Sequence, residues 1–306
     1  MRILWNAAGF VCIAVALHDV FHTLFHPAGR GAMSDWLAGF VWKIVRALSH
    51  NKRERITLAG PFAILTIIGI WVALIVFGFA FIYRPYMAGQ FTVAPGLDPA
   101  KHRSFLDALN VSIGGLMTLS GDILTKSRVL RLAIGSEAII GFGLLTASVS
   151  WLLSIYPVLE RRRTVGHELT LLHNAESRSG IRIMELPSDE AQEILWGLAA
   201  EISSLRNDLT QFPITYYFHS GDEHSGLAGA LPYVADLAEN ASRPQMSPSV
   251  RMAGIALGGA IHDYLEYVAE TFLEMPLDDK RAIMRRYADE HLFRPMRAPA
   301  PLRRAS

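Results

Sequence analysis

The chain has little cysteine and little charge. Of its 306 residues a single one, Cys12, is a cysteine, and 19% are Asp, Glu, Lys or Arg. One thiol excludes an intrachain disulfide and a zinc site built on cysteines, and it leaves the redox compartment open. The net charge is +1, with no basic stripe interleaved with aromatics, so no nucleic-acid partner is expected. A phosphate-cradling glycine loop after a strand is missing too, because Gly141-Phe142-Gly143 lies inside an apolar run. His167-Glu168 lacks the second histidine of a zinc-protease helix, since position 171 is Leu171. No nucleophile and base stand out as a pair. The expectation is a protein that is not an enzyme and carries no cofactor.

Charge is also missing locally. Residues 56–83 contain none, and residues 132–159 contain only Glu137. At about 1.5 Å per helical residue, each run can cross a hydrocarbon core of roughly 30 Å. A third apolar stretch covers residues 3–25; its first part, residues 3–17, could pass for a signal peptide, with Arg2 ahead of it and Ala14-Val15-Ala16 resembling a cleavage site. Its apolar, histidine-bearing continuation over residues 17–26 makes a first membrane span the better reading. His18, His22 and His26 then share one helix face with Asp19 close by, a set that can bind a divalent metal, relay protons, or lie at the headgroups where water satisfies it. Pro27, Gly29 and Gly31 stop that helix, closing an N-terminal segment of residues 1–33.

Residues 34–55 read as an amphipathic helix in the membrane interface, with Trp36, Leu37, Phe40, Val41, Ile44, Val45 and Leu48 on one stripe and Ser34 able to cap its first turn. Two basic clusters, residues 51–55 and 161–163, flank the charge-poor runs and belong on the cytoplasmic side by the positive-inside rule. Residues 84–103, with Gly89, Pro95, Gly96 and Pro99, read as an exposed turret without an element of its own.

Between the two long runs lies Ser104 to Asp122, a short amphipathic segment ending in a Thr/Ser/Gly/Asp turn. Non-helical backbone at membrane depth is tolerated where protein buries it or it lines water. Ala108, Leu109, Ser112, Thr118, Gly121 and Asp122 fall where tetrameric potassium channels carry the same residue types, and over residues 34–163 the chain resembles the bacterial two-helix potassium-channel family. The resemblance implies an outer helix over 56–83, a pore helix and filter over 104–122, an inner helix over 130–159, and four chains around one path for a monovalent cation, potassium first. The family's filter reads Thr-Val-Gly-Tyr-Gly-Asp. This chain has Thr118, Leu119, Ser120, Gly121 and Asp122, one residue shorter and without the first glycine. An extended residue spans about 3.3 Å, so the shorter filter loses about one ring of carbonyls and its selectivity is relaxed. Four copies of Asp122 would still attract cations.

On the inner helix, Gly141 and Gly143 are either hinges of the kind the family uses for gating or places of close helix packing. Glu137, an ionisable residue inside a span, requires a partner, and Asn110, Ser112 or a basic residue of the outer loop are the candidates for bracing the filter. The Gly114-Gly115 pair suggests close approach to a neighbouring helix.

Residues 161–306 read as a cytosolic helical bundle with helices over 165–176, 188–209, 227–241, 248–273 and 278–290 and a basic, proline-rich tail from Arg294. His219, Asp222, Glu223 and His224 crowd one loop and are a weak metal candidate. The whole is an all-α, multi-pass protein of the cell (inner) membrane: a helix, pore-loop, helix module (56–160) preceded by a transmembrane and an interfacial helix. The function expected is a homotetrameric cation channel in a lipid bilayer, its regulatory ligand open; the alternative is a non-conducting, membrane-anchored sensor on the same scaffold.

Overall fold

The computed structural model describes residues 1–26, 31–49, 56–94, 98, 101–119, 121–219, 221 and 226–296. The basic run 51–55, the turret residues Pro95, Gly96 and Pro99, and the tail beyond 296 lie outside these. The chain divides into two compact units, one of residues 1–41 and 61–154 and the other of residues 42–60 and 155–306.

The first unit is built on three long helices and a short one. Helix α3 (Ala59–Tyr83) is almost wholly apolar, helix α1 (Arg2–Leu24) mostly so, and α5 (Arg128–Ser179) contributes its apolar part up to Ser154 to this unit. These are the three helices long and apolar enough to cross a membrane among the described residues. The amphipathic helix α2 (Ala32–Ser49) lies between α1 and α3 in sequence. Where α1 crosses α3, the two backbones touch at Gly9 and Gly78: a Cβ on Gly78 would lie 2.9 Å from the Gly9 carbonyl oxygen, and one on Gly9 would collide with the Gly78 carbonyl. Small residues at such a crossing let the backbones meet, which is how apolar helices gain contact without a hydrophobic driving force.

The fourth helix, α4 (Phe105–Leu116), is 12 residues long and so spans about 18 Å, too short to cross a hydrocarbon core. Ser104 and Asp107 close a capping box at its start: the Asp107 amide donates to Ser104 Oγ at 3.2 Å, and the Ser104 amide donates to Asp107 Oδ2 at 2.8 Å. Its buried positions, Ala108, Val111, Ser112, Gly115 and Leu116, follow the spacing of one helix face. At the opposite edge Phe105 joins an aromatic group with Trp5, Phe77 and Phe81, ring centroids 5.5 to 6.3 Å apart, which ties α4 to α1 and α3.

Residues 84–93, expected as part of an exposed turret, form elements of their own. A 3-10 turn Arg84–Tyr86 and a helical turn Met87–Gln90 lead into a strand β1 (Phe91–Val93), which pairs antiparallel with β2 (Ile123–Thr125), Val93 opposite Ile123. The alternation that marks a strand is only three residues long here, too short to read against the surrounding turn formers. The inner helix likewise does not end near residue 159. Helix α5 runs unbroken to Ser179, through Pro157, and absorbs the separate helix expected over 165–176.

The second unit is a helical bundle of α6 (Ser188–Gln211), α7 (Leu227–Ala241), α8 (Pro248–Val268, continued by a π turn to Leu273) and α9 (Lys280–Glu290), with the later part of α5. Leu195, Leu198, Ile202, Leu205 and Leu209 of α6 face a core completed by Leu231, Val234, Leu257, Ile261 and Ile283. Two of the three arginines at 161–163 serve this unit: Arg161 Nη1 donates to both oxygens of Asp208 at 2.9 Å, and Arg162 donates to the Thr215 carbonyl at 2.6 Å and to that of Phe218. The C-terminal half of α2, from Trp42, belongs to this unit rather than to a separate interfacial segment 34–55.

Candidate functional site

The segment from α4 to β2 is the place where the chain departs most from plain helix packing. Glu137 of α5 is fully buried, and it meets α4 at Gly115, where a Cβ would lie 2.8 Å from Glu137 Oε2. Tyr83 at the end of α3 donates its hydroxyl to Glu137 Oε2 at 2.8 Å, and the Ser112 hydroxyl lies against Glu137 Oε1 and, at 2.9 Å, against the Val76 carbonyl of α3. A carboxyl in an apolar interior is costly unless its oxygens find donors, and these partners come from α3 and α4 together. Of the candidate braces, Ser112 is the partner; Asn110, exposed on α4, is not among the partners of Glu137 in the described residues. Tyr83, buried and apolar in its surroundings, has no local pattern that marks it as a hydrogen-bond donor.

Helix α4 ends just before the expected filter. Met117 is its C-cap, Thr118 has φ 55°, the Thr118 amide donates to the Gly115 carbonyl at 3.2 Å, and the Leu119 amide donates to the Gly114 carbonyl at 2.8 Å. Those bonds form a Schellman motif, in which a left-handed residue closes the helix. Glycine usually fills that place, and a β-branched residue there is strained. Thr118 is therefore a helix terminator here, where an extended filter strand would have begun. Leu119, Gly121 and Asp122 are exposed, the Asp122 carbonyl accepts the Ala94 amide at 2.7 Å, and Ser120 lies outside the described residues.

The glycines of α5 have different surroundings. A Cβ on Gly141 would collide with the Leu116 carbonyl at the end of α4, whereas Gly143 has open space around it. The helix is assigned without a break at both, and Gly141 makes room for the close approach of α4.

The N-terminal set separates in the same way. His18, His22 and His26 stack along one face, with ring centroids 4.3 and 5.3 Å apart. Asp19 points elsewhere and is buried. It accepts from Trp71 Nε1 at 2.8 Å, from the Met33 amide at 3.0 Å and from the Ser34 hydroxyl. Ser34, expected to cap α2, instead lies inside that helix and spends its hydroxyl on Asp19. Asp19 thus joins α1, α2 and α3, and its carboxylate is turned to Trp71, Met33 and Ser34 instead of the histidine face. Among the described residues, no group of three or more His, Cys, Asp or Glu side chains is placed to hold a metal ion. His219 is buried against Phe293, ring centroids 4.9 Å apart, with Nε2 2.6 Å from the His291 carbonyl oxygen. Asp222, Glu223 and His224 lie outside the described residues.

No protein-family model matches the chain, and no solved structure matches it. A Bacillus subtilis (strain 168) protein described as the uncharacterized membrane protein YdjJ is 24% identical over 225 residues, 70% of this chain. The chain spans 62% of that relative's length. Three helices able to cross a membrane and similarity to a membrane protein together place this chain among membrane proteins of predominantly helical structure.

Proposed function

We propose that the chain is the subunit of a homotetrameric cation channel of the cell inner membrane, potassium-channel-like with relaxed selectivity, its C-terminal bundle on the cytoplasmic side. One observation carries this reading. A helix too short to span, α4, is held between two spanning helices by the buried Ser112, Glu137 and Tyr83 contacts and ends at Met117 and Thr118, just ahead of Gly121 and Asp122. Buried polar contacts at that depth are costly to build and have a purpose when they aim a segment of backbone at water. Ser136, Gly143, Ser150 and Ser154 recur at helical spacing on the exposed surface of α5, which suits a face that lines a wet path once other copies surround it. Conduction of this kind is passive and requires no catalytic residue.

The left-handed Thr118 favours a second reading. Its amide and that of Leu119 are tied to α4, which shortens the stretch able to offer a ladder of carbonyls. A membrane-anchored sensor or interaction protein that retains the scaffold without conducting is consistent with that geometry.

Purified protein in liposomes decides between them when potassium, sodium and divalent flux are measured side by side, with Asp122→Asn as control. Potassium and sodium flux of similar size, reduced by Asp122→Asn, is the expected outcome. Absence of any cation flux across a range of pH and voltage would sink the channel reading and leave the sensor.

A further inference from the structure

The C-terminal half of α2 carries two residues, Trp42 and Arg46, into the second unit, and the place they enter has an unusual chemistry. Trp42 is 5% exposed and lies against His291, Tyr216 and Tyr217, ring centroids 5.2, 6.5 and 5.9 Å away. His291, which follows the last turn of α9, is 3% exposed. Neither the Trp42 indole nitrogen nor Nε2 of His291 has a hydrogen-bond partner among the described residues. Two buried, unpartnered polar nitrogens facing one aromatic box are rare, because each forfeits the hydrogen bond that water supplied before folding.

The charges around His291 are mostly positive. Arg46 approaches from α2 and Arg162 from α5, and His219 follows the Pro213–Tyr217 turn. From α9 come Arg286 and a single carboxylate, Glu290, which is already occupied by the Tyr216 hydroxyl at 2.8 Å, by Arg286 at 3.0 Å and by Arg46 at 3.5 Å. Tyr287 offers a neutral ring edge-on to the imidazole. A proton added to His291 would therefore meet arginines, a committed carboxylate and no acceptor at Nε2. Water must enter to solvate it. Trp42 is the wall whose polar atom gives up no hydrogen bond when it moves, since its indole N–H has no partner among the described residues.

We propose that the Trp42–His291 contact is an acid-released latch, which holds the C-terminal half of α2 on the bundle while His291 is neutral and lets it go when His291 takes up a proton. Burial, then Arg162, His219 and Arg46, hold the His291 imidazole well below its ordinary range. The sign follows from linkage. The closed latch binds fewer protons than the open one, so it is fully stable above about pH 6.5, the ordinary histidine value. Below that, each pH unit lowers the ratio of closed to open by up to tenfold, until the depressed value is reached.

The latch does not depend on whether the protein conducts, and its test uses no ion flux. Full-length protein labelled with 5-fluorotryptophan in nanodiscs would be followed by 19F NMR from pH 8 to pH 5, the Trp42 resonance being assigned by its loss in Trp42→Phe. The expected result is movement of that resonance to a solvent-exposed position with a midpoint below 6.5, and a resonance that keeps its buried position throughout in His291→Gln. Should His291→Gln fail to fold, His291→Leu provides the same comparison. A wild-type Trp42 signal that stays put down to pH 5 would overturn the proposal, and so would a titration that the neutral variant shares, since another group would then be the switch.

Discussion

Thr118 and Leu292 occupy equivalent places in two different helices. Leu292 follows α9 with φ 53°, its amide donates to the Asp289 carbonyl at 3.3 Å, and the Phe293 amide donates to that of Ala288 at 2.9 Å, which repeats the Schellman ending of α4. A side chain at such a φ costs roughly 1–2 kcal/mol. Thr118→Gly and Leu292→Gly should each raise stability by about 1 kcal/mol, less the entropy that glycine adds to the unfolded chain, read as a higher apparent melting temperature in detergent. Glu201 supports a pH prediction. Its carboxyl, pushed up to about 7 by burial and by the facing Glu168, binds a proton in the folded protein that the unfolded chain releases near 4.5. The contribution is full below about 4.5 and is lost as pH rises through 7. Below about pH 6.5 this loss is offset by the stability that neutral His291 gains, so urea midpoints of the second unit's unfolding should fall from pH 6.5 to pH 8, and Glu201→Gln should flatten that fall. An equal slope in the variant would assign the effect elsewhere.

Helix boundaries follow from local chemistry more than helix partners do. The cap at Ser104, closed into a box by Asp107, and the apolar stripe of α6 are written in four to eight neighbouring residues, and those two helices stand where these signals place them. The contact of α1 with α3 is different, because nothing near Gly9 announces Gly78. Gly78→Leu should push the two helices apart and destabilise the first unit by about 1–3 kcal/mol, seen as a lower melting temperature, while the same change at Gly69, which has open space, should cost much less. The Glu137 contacts give a second test at this scale. Tyr83→Phe and Ser112→Ala each remove one partner of a buried carboxyl and should each cost roughly 1–3 kcal/mol. Their double variant should cost less than the sum, because both act on one group.

For the whole molecule, the channel reading requires more than one chain. A single α4 and its turn cannot enclose a path, so native mass spectrometry of the detergent-solubilised protein should give four copies. A monomer that survives mild extraction would remove the pore reading without touching the fold. The two compact units also divide the chain differently from its hydropathy. Composition changes at residue 160, whereas packing changes at 154 and again at 41, because Trp42 and Arg46 are committed to the aromatic box around Tyr216 and His291. An apolar stripe shows that α2 has a face to bury and says nothing of what will cover it.

What the sequence by itself determined is the main helices: three runs able to span, a capped helix too short to do so, an amphipathic helix after the first run and a helical bundle after the last. Each rests on periodicity, capping or the cost of burying charge, all of which act over a turn or two. Only the tertiary structure decided the partners of the polar groups. Asp19 meets Trp71 across 52 positions, Glu137 meets Tyr83 across 54, and His219 meets the His291 backbone across 72. A buried carboxylate or imidazole must be satisfied by whatever donors the packing brings near, and that choice is made in space, where sequence distance has no bearing.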